Sequence, residues 1–260
     1  MGVRRRVQGR AATLLGLALL APTLLTASVV GSAGIASPDA GAALRGASSD
    51  AETLYHQALA STKGGDVHYV SASTQSGVTL VTTGDAGPAS GIQHITMGRG
   101  NGLTATLAVV VIGSTTYLQG DTAGLEDLAG IPATQAQGVS GSWIQIPTGD
   151  ADFSAVVAGV RSGDLVQELA LTGPVSLGHA RSVNGITVDA IRGTQKVGKK
   201  SDHVVLYVRA VAPHNPVEEI SVDAKGKPTW TERVVYSKWG EQVRPDAPQA
   251  SYSIGQKNVV

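Results

Sequence analysis

Two blocks of short, alternating apolar and polar runs constrain the fold of this chain more than any other feature of its sequence. The first block extends from Asp66 to about Tyr117, and the second from Val175 to Trp239. Period-two alternation is typical of β-strands that bury one face. Turn residues separate the runs and predict hairpins, most strongly at Asn184-Gly185. We therefore expect about five antiparallel strands in each block.

Helices are predicted before the first block and between the two blocks. Ser49 and Glu52 form a capping box at the start of the lead helix, whose apolar residues recur at helical spacing. Residues 121–130 predict a short helix, and residues from about 148 to 171 predict a helical stretch interrupted at Gly163. This order predicts one α+β domain, in which a single long, strongly curved antiparallel sheet (a half-barrel) carries helices on its concave face.

The first 36 residues have the three parts of a secretory signal peptide. Four arginines precede the uncharged run Ala11–Val30, and the small residues that follow allow cleavage after Ala33 or Ala36. A retained membrane anchor is the alternative, because about twenty apolar residues can just span a bilayer. The segment Leu25–Ser28 has the form of a lipobox with serine in the place of the lipidated cysteine. We expect an exported protein, extracellular or in the cell wall, that is not lipid-anchored through cysteine.

The exported part divides into three segments of different composition. Residues 37–48 are small and aperiodic, which predicts a flexible tether. Residues 49–248 contain every predicted helix and strand and therefore form the predicted domain. Residues 249–260 show no periodicity and are interpreted as a frayed tail.

Composition excludes several classes of function. The chain of 260 residues has 20 Lys+Arg, 20 Asp+Glu and no Cys, and charged residues make up 15% of it. This balance argues against a nucleic-acid partner, which would require a basic surface. Without cysteine there is no disulfide, no thiol nucleophile and no Cys-ligated zinc. Removal of the signal peptide, with its four arginines and no acid, leaves a net charge of −4.

No recognised catalytic or metal-binding motif occurs in the sequence. The six histidines form neither an HExxH pattern nor an HxH pair, and no G-x-S-x-G element is present. The acidic pairs Glu126-Asp127 and Glu218-Glu219 are the remaining candidates for paired carboxylates. Adjacent residues point in different directions on a strand or helix, so we interpret both pairs as solvated surface. The sequence predicts no catalytic residue, no metal site, no cofactor and no enzymatic activity.

The apolar faces of the predicted elements suggest a cavity instead. A long sheet with a single Phe and three Trp is lined thinly by Val, Ala, Leu and Thr, and leaves space where an acyl chain can lie. A filled core is the alternative. The hypothetical cavity-lining residues are Leu107, Val109, Val111, Tyr117, Leu125, Leu128, Phe153, Val156, Val157 and Leu165.

Segments between about Ser48 and Pro248 are similar, in order and spacing, to a known family. They are the lead helix before Asp66-Val67-His68, the step Val110–Tyr117, the segment Gly141–Pro147, and the closing Val234–Gly240 with Ala247-Pro248. Together they resemble the actinobacterial lipoprotein family that includes the LppX and LprG-type proteins, relatives in fold of the LolA and LolB lipoprotein carriers.

The resemblance implies a function as well as a fold. The family's half-barrel sheet wraps around helices and encloses a hydrophobic cavity for acyl chains, and its members carry or present lipids and lipoglycans in the cell envelope. The implied partners are lipid or lipoglycan acyl chains, with transient contact with the membrane or an envelope transporter. Family members usually have a lipobox cysteine where Ser28 stands, which predicts release from the membrane. The alternative is a secreted sensor or protein-interaction module on the same fold with a filled core.

Overall fold

The described part of the chain contains thirteen strands and five helices. The structure is a computed structural model, and it describes residues 38–147, 153–197, 200–223, 230–249 and 252–253. The helices are α1 (Pro38–Lys63), α2 (Thr122–Asp127), α3 (Ala133–Val139), α4 (Ser154–Val157) and α5 (Ser162–Glu168). The strands are β1 (Val67–Gln75), β2 (Val78–Ala86), β3 (Ser90–Arg99), β4 (Thr104–Ile112), β5 (Thr115–Gly120), β6 (Ile144–Pro147), β7 (Thr172–Leu177), β8 (Arg181–Val183), β9 (Ile186–Val197), β10 (Lys200–Arg209), β11 (Pro216–Asp223), β12 (Trp230–Ser237) and β13 (Tyr252–Ser253).

The strands form one sheet from two antiparallel meanders joined at its middle. The order is β13-β6-β5-β4-β3-β2-β1-β12-β11-β10-β9-β7, with β8 paired to β9 beside this path. Strand β1 pairs with both β2 and β12, and so connects the meander β1–β6 to the meander β9–β12. The sheet is curved and does not close. The predicted α+β half-barrel is therefore confirmed.

The helices lie over one face of this sheet, which we call the concave face. Helix α2 contacts β4 and β5, α4 contacts β4, and α1 contacts both β7 and α5. Strand residues alternate between this face and the opposite, outer face, as the pleat requires. Within the described residues, no helix is long and apolar enough to span a membrane.

Several helix boundaries differ from those predicted. Helix α1 begins at Pro38, so the segment predicted as a tether is helical from residue 38 onward. Proline is accommodated in a first turn and the alanine-rich run after it favours helix. Helix α3 was not predicted. The break between α4 and α5 falls at Gly159, which has φ +78°, and Gly163 lies inside α5. The predicted start of this stretch, near residue 148, lies outside the described residues.

Two differences concern the strands. The run predicted as one strand from Val175 to Val183 is split into β7 and β8, because the chain leaves the sheet between Leu177 and Arg181. The segment interpreted as a frayed tail contributes β13, in which Tyr252 pairs in parallel with Ile144 of β6. This pair is the one parallel contact among the described strands.

The predicted signal peptide, residues 1–36, lies outside the described residues.

Candidate functional site on the concave face

One half of the concave face is apolar. Inward-facing residues of β2–β6 are in register with one another: Leu107 lies opposite Ile95, and Val109 lies opposite both Gln93 and Leu118. Helices α2 and α4 and their flanking residues cover this surface and bury it. We call the result the first cluster; its larger buried members are Leu80, Ile95, Met97, Leu107, Val109, Val111, Leu118, Leu125, Leu128, Ile131, Ile144, Ile146, Phe153, Val156 and Val160.

Asp121 and Gly124 fix helix α2 against β4. One oxygen of the Asp121 carboxylate caps the helix by accepting from the N–H of Gly124. Its other oxygen accepts from the N–H of Thr106 at 3.1 Å and from the Thr106 hydroxyl at 2.7 Å. A Cβ at Gly124 would overlap with the carbonyl of Thr106. The helix therefore lies closer to the strand than any side chain at this position would allow.

A second cluster lies under α1 and α5, on the other side of β1. It contains Tyr55, Leu165, Leu169, Ile191, Leu206, Val208, Val234 and Tyr236. The Tyr55 hydroxyl donates to the carbonyl of Leu169 at 3.1 Å and accepts from the N–H of Leu171 at 2.6 Å. Burial raises the pKa of Tyr55; the Leu171 N–H acts in the opposite direction, and the nearby charge of Glu219 adds to the increase. Tyr55 thus ties α1 to the end of α5.

Tyr69 and Gln93 form a polar link between the two clusters. The Tyr69 hydroxyl donates to Oε1 of Gln93 at 2.9 Å, and Nε2 of Gln93 donates to the carbonyl of Val156 in α4 at 2.6 Å. Burial is the main cause that raises the pKa of Tyr69 well above its usual value, with added repulsion from Glu168, Asp85 and Asp164. Gly84 leaves the space that the Tyr69 ring occupies. The link therefore holds the short helix α4 against the sheet.

The other half of the concave face carries a band of buried polar residues that sequence reasoning missed. On β11, Ser221 donates to Glu219 at 3.1 Å, and on β1, Ser71 donates to Glu232 of β12 at 2.9 Å. The fully or largely buried members of the band are Ser73, Gln195, Asp202, Glu219 and Ser221. The strand register places them on the inward face, where Glu219 lies opposite Leu206; this pairing cannot be read from the local sequence.

The structure brings most of the predicted cavity residues together. Those in the first cluster are Leu107, Val109, Val111, Leu125, Leu128, Phe153 and Val156, and Val157 is half-buried against it. Leu165 lies in the second cluster. Tyr117 was wrongly placed: on β5 the inward positions are Thr116, Leu118 and Gly120, so Tyr117 points to the outer face. Leu118 is the inward residue that the prediction lacked.

The acidic pair at Glu218 and Glu219 is also corrected. The two side chains do face opposite sides of β11, but both are buried, at 2% and 1% exposure, and are not solvated surface. On the outer face, the Glu218 carboxylate accepts from Arg181 and, at 2.6 Å, from Nε of Arg233. The guanidinium of Arg181 lies 3.8 Å from the centre of the Tyr207 ring. Two arginines therefore compensate this buried charge.

No metal-binding arrangement is found within the described part of the chain, where no group of three or more His, Asp or Glu could hold an ion. His68 Nδ1 lies 2.7 Å from Oδ1 of Asp85 on the outer face. This single contact orients the imidazole.

Comparison with solved structures identifies the fold. The lipoprotein LprF from Mycobacterium bovis aligns with a TM-score of 0.52 at 13% identity, covering 76% of this chain and 97% of LprF. The lipoprotein LppX from Mycobacterium tuberculosis aligns with a TM-score of 0.48 at 15% identity, covering 76% of this chain and 99% of LppX. A LolA superfamily protein from Nitrosomonas europaea gives a TM-score of 0.28 at 13% identity, covering 75% and 94%.

The fold assignment rests on the match to LprF. The chain has the fold of LprF, and the resemblance seen in its sequence is confirmed at the level of the fold. No protein-family model matches the sequence, and no curated protein matches it.

Proposed function

We propose that this protein is an exported, non-enzymatic lipid carrier of the cell envelope, which holds acyl chains between the concave face and its helices. The observation that carries the proposal is the first cluster. It is an apolar surface of one strand layer, covered by short separate helices and not by a second sheet. Helix α4 has only four residues, and Gly159, with a positive φ, separates it from α5. Such a cover can be displaced without unfolding the sheet.

An acyl chain would replace the contacts that α4 makes with β4. Phe153 and Val156 lie on the first cluster and are 3% and 5% exposed. Burial of an acyl chain contributes about 0.8 kcal/mol per methylene, which offsets the cost of displacing these side chains and of association. In this proposal the headgroup of the same lipid lies at the polar band, whose residues are buried in the absence of ligand.

The alternative, a secreted sensor or interaction module with a filled core, is favoured by one observation. The first cluster is closed in this structure, and its buried members are at most 7% exposed. The two functions differ in whether the cluster opens to a ligand.

Native mass spectrometry distinguishes them. The protein would be purified from an actinobacterial expression host and its mass measured before and after organic extraction. We expect co-purifying lipid in stoichiometric amount, with the acyl class identified from the extract. A protein that stays free of lipid after incubation with envelope lipids would contradict the carrier function and support the interaction module.

Substitutions on one strand locate the site. Val109→Asp places a carboxylate on the concave face of β4, and we expect it to abolish lipid uptake. Ala108→Asp is the matched control, because the neighbouring residue of the same strand points to the outer face. If Val109→Asp folds, judged by circular dichroism, and still takes up lipid like the wild type, the concave site is refuted.

A further inference from the structure

A groove on the outer face combines apolar walls with two cationic side chains. It has a volume of about 520 Å³ and lies between the loop that follows β10 and the turn that follows β12. Its volume is within the range of small-molecule sites, about 300–1,000 Å³. It is separate from the first cluster, which lies on β2–β6 on the other side of β1. Tyr236 and Trp239 line the groove and also pack in the second cluster, so the groove borders that cluster.

The apolar wall is rigidly built. Val217 belongs to a third buried cluster under the β8–β9 hairpin, and Ile186 packs against this cluster. Trp239 is fixed by its indole N–H, which donates to the carbonyl of Pro216 at 2.9 Å. Its ring also lies 6.3 Å from that of Tyr236. These side chains are held in place before any ligand binds, which reduces the entropic cost of binding.

Arg209 lines this groove from a fixed backbone. Its N–H donates to the carbonyl of Asn215 at 3.0 Å, and its carbonyl lies 2.9 Å from Nδ1 of His214. Its Nε is buried and has no hydrogen-bond partner among the described residues. A buried donor without an acceptor is unfavourable, and a change of the Arg209 rotamer toward the groove would let an anionic oxygen accept from it.

Charge complementarity identifies the ligand class. Lys238 is the second cation of the groove, and no acidic side chain is among its described lining residues. A ligand that fits has an anionic head for Arg209 and Lys238, and a short apolar tail against Trp239, Val217 and Val235. We propose that the groove binds a single-chain anionic amphiphile with a carboxylate or phosphate head, independently of the concave site.

The test is an NMR titration of the full chain with ¹⁵N-labelled tryptophan. The indole N–H signal of Trp239, assigned by Trp239→Phe, reports the groove, and that of Trp143 serves as a signal from elsewhere. We expect decanoate and decyl phosphate to shift the Trp239 signal saturably. Decanol and inorganic phosphate, which each lack one half of the ligand, should bind at least ten-fold more weakly. Equal binding of either one would overturn the proposal.

Variants test the assigned residues. Arg209→Met should lower the affinity for decanoate at least ten-fold, and Lys238→Asn should lower it about three-fold. Asparagine is chosen because it tolerates the positive φ of residue 238 (+53°). Arg192→Met, an exposed arginine on the outer face away from the groove, is the matched control and should bind as the wild type does. If Arg209→Met does not fold, Lys238→Glu at the exposed second cation provides the charge comparison and should abolish decanoate binding. Unchanged decanoate affinity in the folded variants would refute the site.

The groove and the concave site can fail separately. Val109→Asp should leave the Trp239 response to decanoate unchanged, and Arg209→Met should leave co-purified lipid unchanged. A loss of the Trp239 response in Val109→Asp would mean that decanoate binds at the concave face, and would overturn the groove as a separate site.

Discussion

The two halves of the concave face are equally inaccessible to solvent, but the second half combines its apolar cluster with a band of buried polar residues. On β4, Leu107 and Val109 are 2% and 0% exposed, while on β11, Glu219 and Ser221 are 1% and 0% exposed. The apolar half is stabilised by burial of hydrocarbon. The polar half requires hydrogen bonds for each buried group. The two halves therefore depend on different interactions for their stability.

The largest expected loss of stability comes from a substitution in the first cluster. Leu107→Ala should lower the free energy of unfolding by about 2–5 kcal/mol, because it removes a fully buried side chain and leaves a cavity. Leu103→Ala, at a position 58% exposed just before β4, should change it by less than about 0.5 kcal/mol. Urea denaturation measures both. Equal effects of the two would show that the first cluster is loosely packed.

The strands that carry the polar band also bury a charged residue, Glu218, on their outer face. The Glu218 side chain is 3% exposed, whereas Arg181 and Arg233 are 43% and 58% exposed. Removing both arginines should cost about 3 kcal/mol, since it leaves a buried carboxylate without compensation. The triple variant Arg181→Met, Arg233→Met and Glu218→Leu should recover most of this lost stability. A triple variant as unstable as the double variant would show that charge compensation is not what these arginines provide.

Two glycines sharpen the comparison at the cover of the apolar half. Gly124→Ala should destabilise the protein by about 1–3 kcal/mol, because the new methyl group forces α2 away from β4. In α3, a methyl group added at Gly138 would have no atom within 4 Å of it, so Gly138→Ala should stabilise the helix by up to about 1 kcal/mol. Thermal denaturation compares the two. Stabilisation by both would mean that α2 is not held against the strand.

The smallest effect tests the link between the halves. At neutral pH, Tyr69→Phe should cost about 1 kcal/mol, because Oε1 of Gln93 loses its donor. The pKa of Tyr69 is raised in the folded state. Its stabilisation is therefore complete below the unfolded pKa of about 10 and is lost as pH rises above it. We expect the difference between wild type and variant to shrink above pH 10 in denaturation series. A constant difference would contradict the raised pKa.

The sequence predicted the apolar half because alternation and burial coincide there. Leu107, Val109 and Val111 are apolar and inward, so their pattern shows the face directly. Tyr117 was misplaced because an aromatic residue is equally compatible with either face of a strand. The acidic residues of β11 were misread for the opposite reason: burial of Glu218 depends on Arg181 and Arg233, which are distant in sequence. No local pattern contains that information.

The groove beside Trp239 was equally inaccessible to sequence analysis. Arg209 and Lys238 are separated along the chain and meet only because β10, β11 and β12 are neighbours in the sheet. The predicted break between helices α4 and α5 was wrong because a positive φ at Gly159 determines where α4 ends, and the hydrophobic pattern does not show it. The position of the groove therefore depends on the pairing of distant strands, which local sequence propensity does not contain.

The pairing of β1 with β12 has a consequence for the rate of folding. The contact between Ser71 and Glu232 spans 161 residues, and the whole second meander must be available before β1 gains its second neighbour. Long-range pairing of this kind has a high contact order, and such sheets fold slowly, on the scale of milliseconds to seconds. We expect the newly made chain to remain without the pairing of β1 with β12, and so with two unjoined meanders, until synthesis has passed residue 237.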